Sequence, residues 1–188
     1  MYGSRLDSKG EAIQENSQYT NPVAGERVKG NTIESIGLAE DKDGNIVETR
    51  ANVVFKQANG STVRWTIFEA TEDWQFDSLN KNIKHLATKL MTEEEYYAGI
   101  EAGGAPTDFV SFIDRLSKLL VPKAAGKVFT IKFVYKKGYV TVPTFPNWIA
   151  LPENENTLTT NPKYDKYVKE EPTAEEDVAS STIGTDVF

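Results

Sequence analysis

The stretch that decides the fold is Ile46-Val-Glu-Thr-Arg-Ala-Asn-Val-Val-Phe-Lys-Gln-Ala-Asn-Gly-Ser-Thr-Val-Arg-Trp-Thr-Ile-Phe-Glu69. Two runs rich in β-branched and aromatic residues, 46–57 and 61–69, flank Asn59-Gly60, and Asn-Gly between apolar runs is the strongest short-range hairpin signal. The two runs are therefore expected to be antiparallel neighbours. Alternation along 61–69 puts Val63, Trp65 and Ile67 on one face and Arg64, Thr66 and Phe68 on the other. The first set reads as core, the second as an accessible face.

Working outward, residues 32–40 form a moderate strand that ends at the turn signal Asp41-Lys-Asp-Gly-Asn45. Beyond 69 the apolar period changes. Leu79, Ile83, Leu86 and Leu90 make one stripe of a helix over 78–91. Thr92 with Glu95 has the form of a capping box opening a short second helix, which Gly103-Gly104 ends. A third stripe, Phe109, Phe112, Ile113, Leu116 and Leu120, predicts a helix over 107–120, stopped by Pro122 and Gly126. Strand character returns at 127–136, with Phe129, Ile131, Phe133 and Tyr135 inward and Val128, Thr130, Lys132, Val134 and Lys136 outward. A turn at Lys137-Gly138 follows, then short strands over 139–142 and 147–151 joined by Pro143-Thr-Phe-Pro146.

The order is three strands, a helical insertion, then strands again. That is the order of a five-stranded OB-type Greek-key barrel, mostly β with α, carrying a helical insertion between strands three and four. A generic α+β sheet produces the same string. Residues 1–31, polar and broken by glycines and Pro22, read as a flexible arm; 32–152 as the folded domain; 153–188 as a disordered acidic tail.

Composition narrows the function. The chain has 188 residues, 28 acidic and 21 basic, for a formal charge of −7. With no cysteine, disulfides, thiolate metal sites and thiol catalysis are excluded, and a lone histidine, His85, removes multi-histidine sites. No apolar run approaches the roughly 18 residues that span a bilayer, and the N-terminus has no apolar signal region. A soluble, cytoplasmic protein without membrane partner is expected. Gly126-Lys127 continues as Val128 and lacks the upstream glycine of a phosphate loop. Asp41–Asn45 begins like a calcium loop, but its glycine comes early and position 52 is Asn52, so a hairpin turn is the better reading. Glu93, Glu94 and Glu95 suit a helix N-terminus better than a metal. Asn59-Gly-Ser61 matches a glycosylation sequon, which is irrelevant inside a cell. No catalytic residue, metal or cofactor is expected.

Charge distribution says more than net charge. Residues 169–188 carry a net −5, whereas 126–151 hold Lys127, Lys132, Lys136 and Lys137 and no acid. Cations interleaved with flat rings are what a single-strand binder needs, the cations for phosphates and the rings for unstacked bases. The candidate nucleic-acid site is Arg50, Lys56, Arg64, Phe68, Lys132, Lys136, Lys137, Tyr139, Phe145 and Trp148. Trp65, Phe129 and Phe133 read as core, and the proline-flanked aromatics Phe145 and Trp148 equally suit the capping of a barrel end.

The acidic tail finishes Asp186-Val187-Phe188. With Trp65-Thr-Ile-Phe68 and Lys132-Phe-Val-Tyr-Lys-Lys-Gly-Tyr139 as barrel strands, the layout of residues 32–188 resembles the bacterial and phage single-stranded DNA-binding proteins, which pair an OB-fold with an acidic tail ending in phenylalanine. The resemblance implies that Asp186, Val187 and Phe188 dock onto replication, recombination and repair proteins, that the tail competes with DNA for the basic groove, and that the host is a bacterial cell. A virion or assembly protein with extended arms is the second expectation, drawn from the irregular segments 1–31 and 152–188. Oligomeric state has no sequence signature.

Overall fold

The computed structural model describes residues 20–145 and 147–169. The tail residues Asp186, Val187 and Phe188, and the first 19 residues of the expected arm, lie outside the described residues.

The elements in chain order are β1 (Gly25–Glu40), β2 (Ile46–Lys56), β3 (Thr62–Phe68), α1 (Asp73–Ala87), α2 (Glu93–Glu101), α3 (Phe109–Ala124), β4 (Phe129–Lys136), β5 (Tyr139–Thr141) and β6 (Ile149–Ala150), followed by a short 3-10 helix, Pro152–Thr157. The strands form an antiparallel sheet in the order β3-β2-β1-β4-β5, with β6 paired to β4. The expected short strands 139–142 and 147–151 become β5, paired to Val134–Lys136, and β6, paired to Thr130 and Ile131, both on the edge of β4 opposite β1. Among the described residues no helix is long and apolar enough to cross a membrane.

Turn chemistry sets the hairpins. Asp41 accepts the backbone N–H groups of Asp43 and Asn45 at 2.8 and 2.9 Å, which engages in the β1–β2 turn the carboxylate that a calcium loop would need. The bonds from Asn45 hold its pKa below the usual value. At the β2–β3 turn the Gly60 N–H donates to the Gln57 carbonyl, and Gly60 has φ +86°, so this is a turn followed by a left-handed glycine. A two-residue turn with both φ positive occurs instead at Lys137-Gly138, 51° and 80°.

β1 corrects the expected domain boundary. It starts at Gly25, not at 32, because its first part pairs with β4 (Gly25 with Phe133, Val28 with Ile131, Asn31 with Phe129) and its second with β2 (Thr32 with Lys56 onward to Glu40 with Ile46). The bend between the two is Gly30, φ +74°, where a Cβ would stand 3.0 Å from that of Ala58. Buried Asn31 spans the bend, donating to the carbonyls of Val28 and Phe129 at 2.6 and 3.2 Å.

The Thr92–Glu95 capping box forms as the sequence predicts. Helix α3 runs through Pro122 to Ala124. The proline sits in the last turn, where its missing N–H leaves only the carbonyl of exposed Lys118 without a helical donor, so Gly126, φ +75°, ends the segment alone. The core lies between the inner sheet face and the helices. Phe55, Phe129, Phe133, Ile131, Ile149 and Trp148 meet Ile83 and Leu86 of α1 and Ile113, Leu116 and Leu120 of α3, all fully buried.

In β4 the expected in–out alternation fails. Every residue from Phe129 to Val134 is buried, because residues 158–167 cross the outer face of the strand. The expected disordered tail therefore begins, among the described residues, as a packed segment: Leu158 and Asp165 are buried, and the Tyr135 N–H donates to the Lys166 carbonyl at 2.7 Å.

Candidate nucleic-acid interface

The β2–β3 ladder places Arg50 opposite Phe68, Asn52 opposite Thr66, Val54 opposite Arg64 and Lys56 opposite Thr62. The facing residues with odd numbers, Ala51, Val53, Phe55, Val63 and Ile67, are buried, so the even ones make the outer face. Thr66 donates its hydroxyl to the Asn52 side-chain oxygen at 3.0 Å, and the Arg50 guanidinium donates to the Glu40 carbonyl at 3.2 Å. Lys56 and Arg64 are exposed, and Phe68 presents 65% of its surface to solvent.

This face continues onto β5. The Thr141 hydroxyl donates to the Arg64 carbonyl at 3.2 Å, joining the two ends of the sheet path. Tyr139 stands opposite Lys136 and is 78% exposed, and Lys137 occupies the turn beside them. Arg50, Lys56, Arg64, Phe68, Lys136, Lys137 and Tyr139 thus lie on the outside of adjoining strands.

Two predicted residues do not join them. Lys132 is 2% exposed; its ammonium pairs with Asp165 at 2.6 Å and donates to the Thr159 carbonyl, so it clamps the crossing segment and cannot reach a phosphate. Trp148 is fully buried, edge-on to Phe55, Trp65 and His85 at centroid distances of 6.0, 5.2 and 6.0 Å. Asn147, at φ +64°, precedes it, and the indole N–H donates to Asn82 of α1 at 3.3 Å, so the ring fills the core. Phe145 is exposed but stands on a different wall, 5.2 Å from the ring of Tyr164. His85 accepts the Asn147 N–H at 3.1 Å, and burial pulls its pKa down to about 4, so it is neutral at pH 7.

The residues that sequence reasoning missed come from the crossing segment. Residues 162–169 read Pro-Lys-Tyr-Asp-Lys-Tyr-Val-Lys, with a lysine at every third place. This run carries Lys163, Tyr164, Lys166 and Lys169 along the β4–β5 hairpin, where the Lys169 side chain comes within 4.0 Å of the Cβ position at Gly138. The interleaving was legible, but the polar context assigned it to the tail. Acidic groups gather at one end of the β2–β3 face: Glu48, two residues from Arg50 on β2, lines with Glu69, Asp108 and Asp114 an open groove between β2, the end of β3 and the start of α3. Across residues 20–169 acids and bases balance, so the net acidity of the chain resides outside them.

Comparison of the chain with protein-family models, with curated proteins and with solved structures found no significant match.

Proposed function

We propose that the protein is a non-enzymatic single-stranded DNA-binding protein built on a small barrel of the OB type. The bent β1 that serves both β2 and β4, the strand order, and the Thr141–Arg64 bond between the ends of the sheet support the barrel. The observation that carries the function is the outer face of β2, β3 and the β4–β5 hairpin, where Arg50, Lys56, Arg64, Lys136 and Lys137 stand with the exposed rings of Phe68 and Tyr139, Arg50 opposite Phe68 and Lys136 opposite Tyr139. Cations there neutralise phosphates and release counterions, while each ring offers a base about 1–3 kcal/mol of stacking. Neither step needs a cofactor. The role follows: coating and protecting single strands during phage or bacterial replication, recombination and repair, with the acidic segment 170–188 recruiting partner proteins and competing for the cationic face.

The test is fluorescence anisotropy of a labelled oligo-dT titrated with the full chain, against a duplex of equal length. Five phosphate contacts predict a fall of log K with log salt at a slope of about −3.5. Absence of single-strand binding at low salt, or equal affinity for the duplex, refutes the reading.

A further inference from the structure

A cavity of about 340 Å³ lies between the β4–β5 hairpin and the crossing segment, with Lys136, Val142, Pro143, Phe145 and Tyr164 among its walls. Its floor is apolar, since Val134, Val142 and Pro143 are buried. Phe145 and Tyr164 form a corner, their planes tilted by 45°, and each keeps about half its surface open, 44% and 52%. The Lys163 ammonium stands 5.1 Å from the Tyr164 ring centroid. Asp165 is the acid on the wall, and Lys132 at 2.6 Å offsets its charge.

These features select one kind of occupant. The volume sits at the small end of the roughly 300–1,000 Å³ range of ligand sites, which suits one nucleotide. The ring corner suits a planar aromatic group. Lys136 on the wall and Lys163, whose ammonium stands over the Tyr164 ring, suit an anion attached to that group, which an apolar ligand would leave unused. Lys136 is also the cross-strand partner of Tyr139, so the cavity opens onto the end of the cationic β-face.

We infer that this cavity is a base slot: it takes one unstacked nucleobase of a single strand against Tyr164 and Phe145, while Lys136 and Lys163 hold the flanking phosphates. The inference rests on the single-strand reading above and extends the strand's path beyond β5. It also gives the Lys132–Asp165 pair a role, because that pair holds Tyr164 in place.

Oligo-dT carrying 5-iododeoxyuridine is photo-crosslinked to the full chain and the adduct mapped by mass spectrometry, alongside anisotropy titrations of Y164A, Y164F and F145A. The slot predicts adducts on Tyr164 or Phe145, a loss of affinity of about five- to a hundredfold for Y164A and F145A, and affinity retained in Y164F, which keeps the ring. Y164F also separates stacking from any loss of folding in the alanine variants. Binding by the unaltered chain with adducts confined to Phe68 and Tyr139, and Y164A within twofold, overturns the slot and leaves the β-face reading standing. No binding by the unaltered chain overturns both.

Discussion

Replacing Lys132 by methionine should destabilise the protein far more than any surface lysine. The ammonium and the Asp165 carboxylate are 2% and 1% exposed and 2.6 Å apart. Methionine fills much of the same volume but strands a buried carboxylate, leaving it the Asn161 N–H at 2.7 Å, and takes the donor from the Thr159 carbonyl. Removing one partner of a buried pair costs about 3–5 kcal/mol. Against a typical total of about 5–15 kcal/mol, that is a fifth or more of the stability. For a chain of this length it lowers Tm by roughly 6–20 °C. D165L should cost a similar amount. The double variant K132M/D165L, which removes both charges, should lie within about 1 kcal/mol of the parent, since an apolar pair of similar volume replaces a buried ion pair at little cost. Urea denaturation followed by circular dichroism measures all three. Hydrogen exchange at the Tyr135 amide, bonded to the Lys166 carbonyl, reports whether the crossing segment loosens before the body unfolds. Single variants that each lose under about 0.5 kcal/mol, with additive effects in the double, would show that the pair is not the clamp described here.

Other expectations are open to direct measurement. K136A, K137A and R64A should each weaken oligo-dT binding and flatten the salt slope by about 0.7 per lost phosphate contact; unchanged slopes would remove those residues from the interface. Truncation after Lys169 deletes six acids and should raise single-strand affinity at about 20 mM salt, the gain shrinking as salt screens the attraction; equal affinities would reject tail competition. W148A should cost about 3–5 kcal/mol through the cavity it opens, whereas Y139A should leave stability unchanged and cost about 1–3 kcal/mol in DNA binding. The pH dependence has a definite sign. The His85 pKa falls from 6.5 to about 4 on folding, so between those values the unfolded chain binds the extra proton and stability declines as the solution is acidified. The slope is at most about 1.4 kcal/mol per pH unit and smaller here because the ring is partly solvated. H85Q keeps an acceptor for the Asn147 N–H and should flatten that limb; an unchanged profile from pH 6.5 to 4 would assign the acid sensitivity elsewhere.

Local chemistry by itself determined much of this protein. Period-two alternation in 61–69 separated buried Val63 and Ile67 from exposed Arg64 and Phe68, and the Thr92–Glu95 box placed the start of α2 to the residue. Those signals act within one strand or one turn, where the side chain and its consequence are neighbours in sequence. Tertiary structure decided the rest. Polar 25–31 became strand because β4, a hundred residues on, supplies its hydrogen bonds. Lys132 sits where alternation faces it outward, as predicted, yet it is buried because residues 158–167 cover that face and Asp165 offsets its charge. Trp148, between Pro146-Asn147 and Ile149, belongs to the core because Asn82, His85, Phe55 and Trp65 converge on it from three other elements. Burial is a property of what packs on a residue from afar, and a side chain's own sequence neighbours carry no record of that partner.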